Sequence, residues 1–543
     1  MLARGALFSV LLSVLLAAGA LRADDKPDKA RREQQKADEK LKKECAAKLE
    51  SYRGALEKLV RETCVKKRLR SQAAELLATL ERIGPRHPTL PGLRLLVGGC
   101  GDDPDPRDVA AFATTLAATT KPYGAPFAAF AKECATKKSF ARAFDWTALA
   151  LEADPDNKDA RTARGFVRWD SKDLKDVKLE YEARTKRFLR PDEAGKVWLS
   201  KYEVSRLKEK KVLYENAEGV IEGWIPCADV EKWDAGLRPL DGEFVEAAKD
   251  VSAHTDVDMR GLEPEWKKYW SVETEHFEVR TGVSRAAAYE FGQLLEDYHA
   301  SFFRTYTSFL DLDTGAEYLF NKAKLARKHL VIYYADHDHY RQHIANHHGA
   351  GVEVNQSYGL YTQDRECRAS HFFAGEGKAE VLRSVYHEVT HQLFSETKED
   401  LSSTSSDEGN YWLVEGIATY SESWGKVGRS WVPGLDRKLD RFQQTKDYLE
   451  KHPDWDFKSF VAMTPGSFRK DEAELDNYAL SATLCHFLMH GEGERYREDF
   501  VRFISEFYAG KARKATALFD ALGVSPDELE REFKKHMKDL GGD

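Results

Sequence analysis

The sequence predicts a mainly helical α+β protein, and three observations lead there. Residues 24–185 carry apolar side chains at roughly helical spacing in a highly charged background. Short apolar runs of strand type occur between 276 and 373. Beyond about 378 the pattern turns helical and stays so to the end. Strands first and helices after describe an α+β domain, here preceded by a helical half. At 543 residues the chain exceeds one compact core, so two or three domains are expected. An apolar fraction of 42% is enough to build cores, while 32% charged residues require much solvated helix surface. The formal charge of −8, with both signs abundant, gives no basis for a nucleic-acid partner.

Residues 1–23 have the features of a secretory signal: Arg4, then the apolar run "ALFSVLLSVLLAAGAL", then small residues at two possible cleavage points. The run is short for a membrane span, although an uncleaved anchor is the alternative. Cleavage removes Arg4 and Arg22 and no acids, which moves the charge from −8 to −10. No later segment has the length of a span. The mature chain is therefore expected to be soluble, secreted or periplasmic. Seven scattered cysteines suggest neither a disulfide framework nor a cysteine metal site.

Residues 24–75 form a charged helical segment, with Leu41, Leu49, Leu56 and Leu59 on its apolar side. A solvated helix face or a partner-binding arm both fit it. Residues 76–189 stay helical. Within them "SFARAFDWTALALEADPDNKDARTARGFVRW" (139–169) resembles a tetratricopeptide helix pair, which implies an interaction platform for a protein partner. Residues 190–264 bring Gly, Pro and Trp in short alternations and read as a connecting module. From 265 to 543 lies the α+β domain. "HFEVRTG" (276–282) and "KHLVIYYA" (328–335) read as strands, and "SRAAAYEFGQLLEDYHASFFRTY" (284–306) reads as an amphipathic helix. "SYGLYTQDRECRASHFF" (357–373) reads as a strand or hairpin. Its first part offers either an edge for an extended peptide or a plain sheet strand.

"SVYHEVTHQL" (384–393) places His387 and His391 four apart, one turn above the other on a helix, with Glu388 beside them. Leu382, Val385, Val389 and Leu393 recur at helical spacing, so the segment is a packed helix. Two imidazoles on one face suit zinc. A catalytic zinc needs a third protein ligand and an open position. "NYWLVEGIATYSES" (410–423) supplies Glu415 on a second helix, with 23 residues between His391 and Glu415. Trp412, Leu413 and Ile417 are suited to pack this helix on the first, and Gly416 to let the two approach closely.

Together these segments resemble the gluzincin metallopeptidases. "WLVEGIATY" in particular resembles a segment of zinc aminopeptidases and bacterial peptidase-MA-like families. The resemblance covers about residues 265–540 and includes the closing "ALGVSPDELEREFKKHM" (521–537). It implies a gluzincin-like domain with a small sheet and a helical C-terminal subdomain. It also implies zinc on His387, His391 and Glu415, Glu388 as general base, and peptide or protein substrates. "LDNYALSATLCHFLMH" (475–490) places Tyr478 where such families carry a tyrosine near the metal, as an oxyanion donor; a core tyrosine is the alternative. No G-x-M-E-N segment precedes the helix, so aminopeptidase specificity does not come with the resemblance. Glu422 and Thr419 are candidates to orient the histidines. Two other histidine groups are expected to be structural: His337, His339, His343, His347 and His348 as a polar helix face, and His486 and His490 as packing. The expectation is a secreted zinc endopeptidase. The alternative is a helical interaction protein with an inert or weakly active metal domain.

Overall fold

The computed structural model describes residues 40–540 apart from 171–195, 247–268, 307–327, 349–357, 398–408, 433–439 and a few shorter breaks. The expected signal segment, 1–23, lies outside the described residues, as does Cys367. The fold is mainly helical α+β, with sheets of two to five strands. The chain divides into two compact units, 1–124 and 125–543.

In the first unit a helix over 43–58 (α1) runs into a π-helical turn, Leu59–Cys64, and is followed by α2 (Arg70–Ile83), α3 (Leu90–Gly98) and α4 (Pro106–Thr120). Leu41, Leu56 and Leu59 of the charged segment are buried and Leu49 is half-buried, so that segment uses its leucines as core, with Leu76, Leu80 and Leu93 of the following helices. The Asp105 side chain caps α4 by accepting from the Arg107 N–H, with Pro106 at the first helical position, where no N–H is needed.

The second unit opens with α5 (Gly124–Thr136), α6 (Phe140–Ala153) and α7 (Lys158–Ala163). The stretch 76–189 is thus divided between the units, and its tetratricopeptide-like pair is cut short. After α7, Gly165 takes a left-handed φ of 78° and the chain leaves as strand β1 (Phe166–Asp170). β1 pairs antiparallel with β2 (Lys196–Ser200). The connecting module then builds α8 (Lys201–Lys208), the hairpin of β3 (Lys211–Glu215) and β4 (Ile221–Pro226), α9 (Val230–Asp234), and the hairpin of β5 (Leu237–Leu240) and β6 (Glu243–Glu246).

The sheet that matters for the candidate site has five strands: β7 (Trp270–Glu273), β8 (Phe277–Thr281), β9 (His329–Tyr334), β10 (Leu360–Gln363) and β11 (Arg368–Phe373). Their spatial order is β10-β11-β9-β8-β7. The inner pairs β8/β9 and β9/β11 are parallel, and the edge pairs β7/β8 and β10/β11 are antiparallel. Parallel neighbours need a crossover. α10 (Arg285–Thr305) supplies the one between β8 and β9, and α11 (His337–His348) lies in the one between β9 and β11. Among the described residues the edge strand β10 has a strand neighbour on one side only.

The chain then turns helical. α12 (Lys378–Thr397) packs on β10 and β11 and is followed by α13 (Tyr411–Ser421), the short ribbon of β12 (Gly425–Val427) and β13 (Ser430–Val432), and α14 (Asp440–Lys451). After these come α15 (Phe457–Val461), α16 (Pro465–Phe468), α17 (Glu474–His490), α18 (Arg497–Tyr508), α19 (Ala517–Leu522) and α20 (Pro526–Asp539). α13 and α17 are buried on nearly every side, and one apolar core runs unbroken from Val272 in the sheet to Met537 in α20.

Gly416 is where α13 meets α17. A Cβ there would lie 2.9 Å from the Ser481 Cβ and carbonyl oxygen, so only glycine permits the approach. The sequence reading assigned this role toward the histidine-bearing helix, α12; the partner is α17. A left-handed Asn410 sets the direction of α13. Its amide donates to the Lys514 carbonyl at 2.8 Å and accepts from the Trp412 indole at 3.2 Å.

Candidate metal centre

α12 presents His387 and His391 on one face, and that face meets α13. His387 Nε2 stands 3.5 Å and His391 Nε2 3.6 Å from Glu415 Oε2. The three donor atoms lie within 4.8 Å of one another. The imidazole rings are 4.9 Å apart and inclined at 74°, so their in-plane lone pairs converge. Two ligands each bonded at 2.0–2.2 Å to one tetrahedral zinc stand about 3.4 Å apart, close to the observed separations. Two imidazole nitrogens and a carboxylate oxygen are also a donor set that zinc accepts. The residues present fit the ion.

Each of these groups is held from behind. His387 Nδ1 pairs with Glu422 Oε1 at 3.0 Å, which leaves Nε2 turned to the centre. Glu422 follows α13 as its C-cap, seven residues after Glu415 and so on the same side. Of the two orienting candidates, Glu422 is the one in place. The Thr419 hydroxyl is buried with no hydrogen-bond partner among the described residues. The second oxygen of Glu415 accepts from the Tyr411 hydroxyl at 2.6 Å, one helical turn earlier, and from Arg469 Nη2 at 3.2 Å. Arg469 also donates to the Tyr411 oxygen and lies over that ring at 5.4 Å.

The electrostatics follow from this packing. Burial alone would lower the His387 pKa, but the neighbouring carboxylates of Glu415 and Glu422 outweigh it and raise the pKa to about 10. Burial would raise Glu415, yet the two histidines hold it well below the ordinary carboxylate range. The raised His387 and the lowered Glu415 together favour a proton on the His387 ring beside an ionised carboxylate. A bound cation would displace that proton.

Glu388 neighbours the cluster without belonging to the three-donor group. Its Oε2 accepts the Tyr361 backbone N–H at 2.8 Å. Tyr361 lies on β10, the edge strand among the described residues, so the carboxylate is anchored at the rim of the sheet. Tyr478, near the start of α17, places its ring 6.4 Å from that of His387. Burial, then the Glu415 charge, raises its pKa, so the phenol keeps its proton at neutral pH. Its hydroxyl has no hydrogen-bond partner among the described residues, which suits a donor facing a ligand better than a satisfied core tyrosine.

The rival histidines are used otherwise. His339 pairs with Asp336 at 2.8 Å, and His337 packs on Phe373. His343 lies among the rings of Tyr334 and His371. His486 reaches His536 at 3.2 Å, and His490 reaches the Tyr420 hydroxyl at 2.7 Å. Among the described residues neither group gathers three metal-binding donors.

A second cluster that does gather them escaped the sequence reading: His276, Glu296 and His299. Glu296 and His299 are three apart on α10, a visible signal, but His276 arrives from the turn between β7 and β8. Tyr411 and Arg469 were missed as well. Tyr411 stands four before Glu415 on one helix and was findable; Arg469, after a separate helix, was not.

With the geometry in place, comparison with known proteins adds one finding. Residues 382–511 match the family described as "Protein of unknown function (DUF1570)". That stretch contains both histidines, Glu388, Glu415, Glu422, Arg469 and Tyr478, so the whole candidate centre falls inside it. The description gives no activity. No curated protein matches the chain.

Proposed function

We propose that this chain is a zinc-dependent metallopeptidase of the gluzincin type, an endopeptidase that works after export. The observation that carries the proposal is the convergence of His387 Nε2, His391 Nε2 and Glu415 Oε2, with a further carboxylate, Glu388, following His387 on the same helix and outside the three-donor group. A purely structural metal site has no use for that carboxylate.

His387, His391 and Glu415 would hold the ion, which when bound supplies an acidified water and a Lewis acid for the scissile carbonyl. Glu388, anchored by the Tyr361 N–H, takes the proton from the attacking water as the carbon–oxygen bond forms. It then passes that proton to the departing amine nitrogen as the carbon–nitrogen bond breaks. Tyr478 keeps its phenolic proton and donates it as a hydrogen bond to the carbonyl oxygen as negative charge develops. Glu422 fixes the His387 ring so that the proton sits on Nδ1. Among the described residues no helix is long and apolar enough to cross a membrane. Export therefore rests on the pattern in residues 1–23.

The test is metal analysis of the purified chain, followed by cleavage of a diverse peptide library. One zinc per chain and hydrolysis lost on Glu388→Gln are expected. Unchanged turnover in that variant would exclude the base, and a chain that binds no zinc would end the assignment.

A further inference from the structure

The environment of Arg469 bears on what the centre accepts. Its side chain is 57% exposed although its Nη2 lies on Glu415, whose side chain is 5% exposed. One corner of the guanidinium is therefore buried against a candidate metal ligand while the rest of the fork faces solvent. Both Nη2 hydrogens are used, on Glu415 and on the Tyr411 oxygen. The N–H groups on Nε and Nη1 have no acceptor among the described residues.

The guanidinium is also held in place. Arg469 is the C-cap of α16, its N–H bonds the Pro465 carbonyl, and the Tyr411 ring lies beneath it. A fork restrained in this way loses less freedom on taking a ligand than a mobile surface lysine does. As an arginine guanidinium it is cationic at every working pH.

Charge balance points the same way. In the metal-free chain Glu415 serves two imidazoles and Arg469 together. Once Glu415 gives its charge to a cation, Arg469 is left without full neutralisation. That positive charge sits beside Glu415, on a side chain that is more than half exposed, within the electrostatic reach of Tyr478.

Resting on the metallopeptidase reading, we propose that Arg469 is the receptor for a carboxylate on the substrate, so that the substrate class is peptides with an acidic group close to the scissile bond. The group comes either from an Asp or Glu side chain or from a free C-terminus. The contact is monodentate, through Nε or Nη1, because Nη2 is occupied.

The experiment uses the zinc-loaded full chain and short peptide hydroxamates, which bind a catalytic metal and are not cleaved. One pair differs only in Asp against Asn, and a second only in C-terminal carboxylate against amide. Calorimetry is expected to favour the acidic member of at least one pair by about ten- to a hundred-fold, the range of a charge-assisted hydrogen bond. The pair that responds identifies the source of the carboxylate. In Arg469→Gln, measured at saturating zinc, the ratio falls to near one, and Arg469→Lys restores part of it. Equal affinity within both pairs in the unmodified chain overturns the carboxylate receptor while leaving the metal reading intact. A ratio preserved in Arg469→Gln overturns it as well. Failure of every hydroxamate to bind removes the metal reading and this proposal with it.

Discussion

Two places in this molecule gather two histidines and one glutamate, and they are not equivalent. At His387, His391 and Glu415 the rings are inclined at 74°, and one carboxylate oxygen faces both at 3.5 and 3.6 Å. These separations are too long for good hydrogen bonds and close to what a shared ion requires. At His276, Glu296 and His299 the rings are stacked, 3.8 Å apart and inclined at only 16°. Lone pairs in nearly parallel planes do not converge. There Glu296 is also saturated: one oxygen accepts from the Thr274 hydroxyl and the His276 N–H, each at 2.6 Å, and the other meets His276 Nδ1 at 2.6 Å. The first cluster has a gap of ionic size, and the second is a closed hydrogen-bond knot tying a strand end to α10. Equal composition therefore does not mean equal chemistry; ring inclination and leftover bonding capacity decide it.

The largest effect that separates the clusters is metal retention. Glu415→Ala is expected to remove both the metal and all hydrolysis, whereas Glu296→Ala leaves metal content unchanged, as elemental analysis of the two purified variants will report. Metal loss from the second variant alone would reverse the comparison. Next, Glu388→Gln is expected to cut hydrolysis by about 10²- to 10⁴-fold with zinc retained, which single-turnover assays will measure. Glu422→Gln comes third. Its zinc affinity should fall by about ten- to a hundred-fold in chelator competition, because the His387 ring loses the partner that fixes it.

A pH series sharpens the contrast further. His387 has its folded pKa raised to about 10, against 6.5 unperturbed. The stability from its protonated form is fully present below about pH 6.5 and is lost as pH rises through 10. Zinc must displace that proton, so apparent affinity should climb by up to about tenfold per pH unit across this window, with proton release visible by calorimetry in buffers of different ionisation enthalpy. In the second cluster burial would raise Glu296, but the His276 hydrogen bonds and charge lower it. Its contribution is present above the ordinary carboxylate pKa and is lost only as acid titrates through the depressed value. The smallest effect is Glu296→Gln, expected to cost about 1–3 kcal/mol in thermal or denaturant unfolding, since a half-buried acceptor of several bonds loses its match.

Much of the α+β domain was legible because its signals are local. The strand β8, the helix α10 and the strand β9 fall within the predicted segments, and the hairpin at 357–373 is β10 with β11. β7 was not anticipated; Trp270–Glu273 is four residues long and gains meaning only from pairing with β8. The helical half was divided at 75/76, yet the compact units part at 124/125, because apolar spacing announces a helix and does not say what its apolar side packs against. Gly416 was recognised as a close-approach residue with the wrong neighbour for the same reason.

By itself the sequence determined which residues share a helix face: His387 with His391, and Glu415 with Tyr411 and Glu422. Helical periodicity is a property of the backbone and needs no neighbours. Only the tertiary structure decided that α13 turns Glu415 toward the two rings, that Arg469 closes on its far oxygen, that the β10 edge anchors Glu388, and that the other His–Glu–His group is stacked shut. Those outcomes depend on how whole elements pack and which rotamers the packing permits, and no spacing along a chain encodes the angle between two rings brought together from distant segments.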